Sequence, residues 1–342
     1  MNTFSHFRAR VVLLVAAALA LMGAAPISAQ TYPSRPVQLV VAYPSGGTGD
    51  LVTKAIGDKL AAALGQPINI DYRPGASGAV GTQSVVRAAP DGYTLLVGQT
   101  VEIAVNHALV KDLGYDPAKD LQPVALLAVI PVALVVPSSA PYASVGDLLK
   151  GSRSSSRGLL FASGGVGTTG HLAGELLRLR TSSRFVHAPF EGAAAASNAL
   201  LEGRVDFYFE PFPLAIPQVK AGKLKMLAQA STKRALAAPN VPTVAEQTGI
   251  RNFDITAWVG IFAPRSTPPE IVTKLNQAIN EVLAQPEVRE RLISAGAEIA
   301  PMSVAQFGDF VRSEIRKNTD LLSEDFCSRV LYGGCEGFGT LQ

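Results

Sequence analysis

Val37-Gln38-Leu39-Val40-Val41-Ala42-Tyr43-Pro44-Ser45-Gly46-Gly47-Thr48-Gly49-Asp50 is the stretch on which the reading of the chain turns. The apolar run Val37, Leu39, Val40 and Val41 stops at Pro44, and small residues follow. Leu51, Val52, Ala55, Ile56 and Leu60 then recur at helical spacing up to Gly65. The pattern predicts a strand, a glycine-rich turn and a helix opening toward the strand's carboxyl end. Amides at a helix start have no intrahelical acceptor, and the helix dipole puts partial positive charge there, so an anion fits the place. A lone turn of this kind is also an ordinary connector, and the rest of the chain has to decide.

Two further strands follow at the same spacing. Residues 67–73 carry Ile68, Ile70 and Tyr72 and run into Arg73-Pro74-Gly75-Ala76-Ser77-Gly78-Ala79-Val80-Gly81, after which a helix reaches about Ala89. Residues 94–98 end in Gln99 and Thr100, and 101–108 read as helical. Strand and helix alternating in this way predict a mainly parallel sheet with helices on both faces, and ligands of such sheets sit beyond the strands' carboxyl ends. Residues 124–129 and 132–136 are two strands split by Pro131, read as a first crossing between lobes. Ser144 is a helix N-cap with Asp147 three residues on.

The design then repeats. Strand 159–162 leads into Ser163-Gly164-Gly165-Val166-Gly167-Thr168-Thr169-Gly170-His171 and a helix. Strand 185–188 ends in Pro189-Phe190-Glu191-Gly192 before a helix at 193–201, strand 205–209 ends at Glu210-Pro211, and 224–228 is a further strand. Residues 252–263, with the sole Trp, Trp258, read as the return crossing. Pro268-Pro269 opens a helix with Ile271, Leu275, Ile279 and Leu283 as its buried stripe, and 288–294 and 304–317 are two more helices.

Composition narrows the function. The 342 residues are 48% hydrophobic and 17% charged, enough for two lobes. The net charge is +3 with scattered Lys and Arg, so no basic stripe offers itself to nucleic acid. Arg8 and Arg10, the apolar run 11–22 and the small residues up to Ala29 predict a cleavable export signal over 1–29. The two Cys, Cys327 and Cys335, fall in the last stretch and suit a disulfide in an oxidising compartment.

The four His, His6, His107, His171 and His187, have no metal-like spacing. The glycine turns match neither a Walker A loop nor a dinucleotide fingerprint. No metal and no cofactor is expected. A Ser163, His171 and Glu191 triad is one alternative, that of a secreted α/β hydrolase, although no Gly-x-Ser-x-Gly elbow exists. The other reading is a cleft ringed by amides and hydroxyls: Ser45, Gly46, Gly47 and Thr48; Ala76, Ser77, Gly78 and Ala79; Gln99; Ser163; Thr168 and Thr169. Charge-assisted hydrogen bonds of about 1.5–3 kcal/mol each would hold a carboxylate there without an Arg.

Several segments then carry a family resemblance. They are Tyr32-Pro33-Ser34-Arg35-Pro36, the opening turn from Tyr43 to Asp50, the Arg73-to-Gly81 segment and Ala89-Pro90-Asp91-Gly92-Tyr93-Thr94-Leu95-Leu96. Further along come Tyr115-Asp116-Pro117-Ala118-Lys119-Asp120, Gly167-Thr168-Thr169-Gly170-His171-Leu172, Gly203-Arg204-Val205-Asp206 and Trp258-Val259-Gly260-Ile261-Phe262-Ala263-Pro264. In order and spacing the chain resembles the Bug (TctC-like) family of periplasmic solute-binding receptors associated with tripartite tricarboxylate transporters.

The resemblance implies an α/β, two-lobed Venus flytrap of type II-like design, a receptor and not an enzyme. It would bind a small carboxylated solute in the periplasm as a monomer and hand it to membrane transporter subunits or report it to a sensor kinase. Lobe 1 is expected over 30–130 plus 255–320 and lobe 2 over 131–254, with a divergent tail at 321–342. Tyr43, Asp50, Thr100, Gly164, His171, Phe190, Glu191, Gly192 and Glu210 complete the expected binding set. Glu191 and Glu210 depart from the family pattern. Placed near the cleft mouth, they would disfavour a tricarboxylate and favour a mono- or dicarboxylate, including one bearing an amino group or a ring nitrogen.

Overall fold

The computed structural model describes residues 32–322. The predicted signal and the Cys327/Cys335 tail lie outside these residues. From Arg35 onward the chain forms one compact unit.

The opening stretch folds as strand β1 (Val37–Val41), a turn, and helix α1 (Thr48–Leu64). Val52, Ile56 and Leu60 make the buried stripe of α1. The helix stops at Gly65, whose left-handed φ of 67° favours glycine. Next come β2 (Ile68–Tyr72), α2 (Ala79–Val86) and β3 (Thr94–Gln99). The expected helix over 101–108 is instead a π-helical turn, Val101–Val105, followed by a single α-turn, Asn106–Leu109. Such a widened turn re-aims side chains at the end of a strand.

β4 (Leu121–Ile130) and β5 (Val132–Pro137) are separated by Pro131 alone. The second half contains α3 (Val145–Ser154), β6 (Leu159–Ser163), α4 (Thr169–Thr181), β7 (Phe185–Pro189), α5 (Ala193–Leu201), β8 (Phe207–Pro211), α6 (Phe212–Lys220) and β9 (Leu224–Gln229). β10 (Ala257–Pro264) returns, followed by α7 (Pro269–Ala284), α8 (Pro286–Ser294) and α9 (Val304–Leu321). β4 starts three residues before the predicted strand and so includes Pro123. β4 is an edge strand, and Pro123 lies at a register shift against β10, where a missing N–H costs no ladder bond.

The strands make two five-stranded sheets, ordered β2-β1-β3-β10-β4 and β7-β6-β8-β5-β9. In the first, β2, β1 and β3 are parallel and β10 runs against both β3 and β4. In the second, β7, β6 and β8 are parallel and β5 runs against β8 and β9. The reversed strand of each sheet is thus the one that has just arrived from the other sheet.

Each sheet has its own core. Trp258 on β10 is 1% exposed and packs against Phe262, Phe307 and Phe310. Its indole N–H donates to Glu314 of α9 at 3.1 Å, which ties the last helix to the first sheet. Phe161, Phe207 and Phe209 fill the second core together with Leu172 and Leu176 of α4.

Candidate functional site

The carboxyl ends of β1 and β3 face those of β6, β7 and β8 across a cleft holding about 690 Å³ of empty space, part of it open to solvent. Its first wall is Tyr43, Pro44, Ser45, Gly47 and Thr48, with Gln99, Thr100, Val101 and Ala257. Its second is Gly164, Thr168, Thr169 and Gly170, then Glu191, Gly192, Ala193 and Ala194, then Tyr208 and Pro211. No Lys, Arg or His stands among these lining residues, and Glu191 is the charged one.

Three helices begin at this cleft: α1 after Gly47, α4 after Thr168 and α5 after Gly192. None has a side-chain cap. Hydroxyl caps are used elsewhere in the chain. Ser144 caps α3 as expected, and Thr243 and Ser303 form full capping boxes. Thr168 could cap α4, but its hydroxyl is turned back to the Gly165 carbonyl at 2.7 Å. The first-turn amides of α1, α4 and α5 are therefore left for an acceptor in the cleft, and the three dipoles add positive potential to a wall without cations.

The opening turn is held from behind. Asp50 is 1% exposed. Its Oδ2 accepts from the Gly46 amide at 2.6 Å, the Ser45 hydroxyl at 3.0 Å and Lys54 Nζ at 2.9 Å, and its Oδ1 accepts from the Tyr72 hydroxyl at 2.6 Å. Burial works against ionisation here, but the bonds from Tyr72, Gly46, Lys54 and Ser45 outweigh it and hold the carboxyl below the usual carboxylate range. The Gly46 amide, expected from sequence to hold the solute, is thus already engaged. Gly46 and Asp50 shape the turn, while Gly47 and Thr48 face the cleft.

The second wall depends on close approaches. A Cβ on Gly164 would sit 2.9 Å from the Ala193 amide, and one on Gly170 would sit 2.6 Å from the Tyr208 ring. Both glycines let a helix start crowd a strand end.

Ser163 is fully buried, accepts from the Gly165 amide and lies 2.6 Å from His187 Nε2. His171 is 2% exposed and its Nδ1 accepts the Gly167 amide at 3.1 Å. Burial pushes His187 down to about 4, and burial with His187 and Arg178 nearby pushes His171 well below its ordinary value, so both rings are neutral. Ser163, His171 and Glu191 are not assembled as a triad. Ser163 and His171 brace the loop from 163 to 171, and His187, which shares a β7 face with Phe185, is the partner that sequence reasoning missed.

Ala76, Ser77, Gly78, Ala79 and Phe190 do not line the cleft wall. Ser77 instead donates to the Val166 carbonyl of the other half at 3.2 Å. Glu210 corrects the expectation of two acids at the cleft mouth. Glu191 is exposed and lines the cleft, but Glu210 is fully buried and neither of its oxygens has a hydrogen-bond partner. It shares a β8 face with Tyr208 toward α5, and burial pushes the carboxyl up to about 7. Ala193, Ala194, Tyr208 and Pro211 line the cleft without having been singled out. Ala193 and Ala194 were legible as the helix start after Glu191-Gly192.

Two sheets facing each other over uncapped helix starts give the architecture of a two-lobed solute-binding receptor. Residues 52–325 match the family described as "Tripartite tricarboxylate transporter family receptor". The chain is 33% identical to Protein BugT of Bordetella pertussis over 88% of this chain and 92% of that protein. It is also 33% identical to a UPF0065 protein from the tcbD-tcbE intergenic region of Pseudomonas sp. (strain P51), over 93% and 94%.

Among solved structures, MatC from Rhodopseudomonas palustris with bound malate superposes with a TM-score of 0.79 at 35% identity, covering 85% of this chain and 99% of that one. An R. palustris protein with adipate superposes at 0.81 and 34% identity, covering 85% and 97%. The periplasmic binding protein BugD does so at 0.80 and 29%, covering 85% and 97%. The chain belongs to the tripartite tricarboxylate transporter receptor (TctC, Bug) family. The hydrolase alternative built on Ser163 and His171 is thereby overturned.

Proposed function

We propose that this receptor closes on a small mono- or dicarboxylate and that backbone amides at the starts of α1, α4 and α5 hold the carboxylate oxygens. The observation that carries the reading is the set of three uncapped helix starts around a cleft without Lys, Arg or His. Gly47, Thr48, Thr169 and Ala193 supply amides, Gln99 and Thr168 add side-chain polarity, and Tyr208 and Ala194 pack the carbon skeleton. The relatives with malate and adipate support a solute of this size and charge.

Glu191 at the rim disfavours a third carboxylate and would pair with an amino group or ring nitrogen on the solute. Lobe 1 then comprises 30–130 with 255–320, and lobe 2 comprises 131–254. The protein works as a monomer in the periplasm after removal of residues 1–29. It delivers solute to membrane transporter subunits, with a sensor kinase as the alternative recipient. Mass spectrometry of solute released by denaturing freshly purified protein, followed by calorimetry with malate, adipate, citrate and amino acids, tests the reading. Tight citrate binding with no affinity for smaller carboxylates would overturn it.

A further inference from the structure

Behind the first wall of the cleft lies a charged-type side chain that the solute reading does not use. Glu102, in the π-helical turn, is fully buried. Its Oε1 accepts the Gln99 amide at 2.7 Å and its Oε2 lies 3.0 Å from the Tyr43 hydroxyl. Gln99 and Tyr43 both line the cleft. The Tyr43 hydroxyl is also 3.1 Å from the Ser77 carbonyl, which receives Asn106 Nδ2 at 2.9 Å as well. Ser77 in turn makes the hydrogen bond to Val166 across the cleft. A continuous path therefore runs from Glu102 through a wall residue to a contact that joins the two halves.

The loop at the end of this path is strained. Gly75, Ala76, Ser77 and Gly78 have φ of 137°, 46°, 49° and 87°. Two of the four, Ala76 and Ser77, are L residues in the left-handed region, a conformation that persists only when neighbours enforce it. Tyr43 and Asn106 hold it at the Ser77 carbonyl, and the Gly78 and Val80 amides hold it at the Gly75 carbonyl.

The donors around Glu102 and its burial together favour the neutral acid. Tyr43 has one hydroxyl proton and two acceptors within reach. If Glu102 carries a proton on Oε2, it donates to the Tyr43 oxygen, Tyr43 donates to Ser77, and every contact is met. If Glu102 is ionised, Tyr43 turns its proton to the carboxylate and leaves the Ser77 carbonyl to Asn106 alone, and a buried negative charge is left with no cation beside it.

The titratable groups around it do not change this. Tyr43 and Tyr115 face it, Tyr115 donating to the Glu102 carbonyl at 2.7 Å. α9, packed against the same turn, brings Glu314, engaged with Trp258 and Lys317. The turn Pro117–Asp120 brings Lys119, paired with Asp116, and Asp120, on the Asp116 amide. His107 on the following turn is bonded to Thr319.

We propose that Glu102 is a positioning residue of the solute site, and that it holds Tyr43, Gln99 and the Ser77 closure contact in place as a neutral acid, so that affinity falls when it ionises. The proposal rests on the reading of the cleft as the solute site. Burial lifts the Glu102 carboxyl to about 8, against the bonds from the Glu102 and Gln99 amides and from Tyr43.

The test is calorimetry with malate and adipate as probes at pH 7 and pH 9, on wild type, Glu102→Gln and Tyr43→Phe. Wild type is expected to bind about tenfold more weakly at pH 9 than at pH 7. In Glu102→Gln, which keeps an acceptor for Gln99 and offers Tyr43 a permanent donor, the ratio between the two pH values should be near one. Tyr43→Phe should bind more weakly at both. Equal pH loss in wild type and Glu102→Gln, or no loss in wild type, would overturn the proposal.

If neither probe binds wild type at any pH, the solute reading fails for these carboxylates, and stability decides the state of Glu102 separately. Wild type should lose stability as pH rises from about 4.5 to about 8, with that slope reduced in Glu102→Gln. Identical slopes would overturn the neutral acid.

Discussion

Asp50 Oδ2 accepts the Gly46 amide at 2.6 Å from a position that is 1% exposed, four residues along the chain. The carboxylate of α1 binds its own turn rather than the solute. It uses up one amide of the glycine-rich segment and thereby fixes where the next amides point. Asp50→Ala leaves the Tyr72, Ser45 and Gly46 donors without their acceptor in a buried place. A loss of about 2–4 kcal/mol in urea unfolding is expected, together with weaker solute binding. Because the folded carboxyl lies below its ordinary value, this contribution is present at neutral pH and disappears as pH falls through the folded value. Acid titrations of wild type and Asp50→Asn should therefore diverge at neutral pH and converge at low pH.

Gly47 needs no special backbone conformation, and a Cβ there would meet only the Pro44 carbonyl at 3.6 Å. Gly47→Val should keep the melting temperature within a few degrees of wild type while filling the space beside the α1 amides. Calorimetry should show binding of any native solute abolished. Unchanged affinity would reduce the turn to a connector.

Glu191 is the charged residue on the cleft wall and is exposed. Glu191→Gln should raise affinity for citrate relative to malate by several-fold at low salt, and the gain should shrink as ionic strength rises, because the Debye length falls to about 8 Å at 0.15 M. A citrate-to-malate ratio that does not move with the substitution would place the side chain away from the bound solute.

Glu210 tests the second lobe. Its carboxyl titrates at about 7 in the folded protein against 4.5 ordinarily, because of burial. Below about 4.5 both folded and unfolded states hold the proton, and from there to about 7 only the folded state does, so stability falls over that window and levels off above it. Glu210→Gln should remove this slope and be more stable than wild type at pH 8 by on the order of 3 kcal/mol. Thermal unfolding at pH 5 and pH 8 reads the difference directly.

Much of this was visible in the residues. The run from Val37 to Gly65 announces its strand, turn and helix through spacing alone, and the Ser163-to-His171 segment announces the matching wall. Local chemistry also placed the Ser144 cap. The errors have one kind of cause. The predicted strand starts only after Pro123 because sequence does not say which strand lies at an edge. Residues 101–108 read as one helix because a π-turn has the same apolar content. Gly46 reads as a ligand donor because nothing local shows that Asp50 folds back onto it. Glu210 reads as a mouth residue because it stands near the carboxyl end of β8, and nothing local shows that its side chain is buried against α5.

By itself, then, the sequence determined the alternating strand–helix order, the two crossings near Pro131 and Trp258, and the clustering of glycine and hydroxyl residues at strand ends. Those depend on hydrophobic period and turn chemistry, which act between neighbours in the chain. The tertiary structure alone decided which amides stay free, which acids are buried and which histidine meets Ser163. Those depend on contacts such as Ser163–His187, Tyr43–Glu102 and Ser77–Val166, between residues 24, 59 and 89 positions apart. Burial and donor count at such contacts are set by how the sheets and helices pack, which no local stretch of residues encodes.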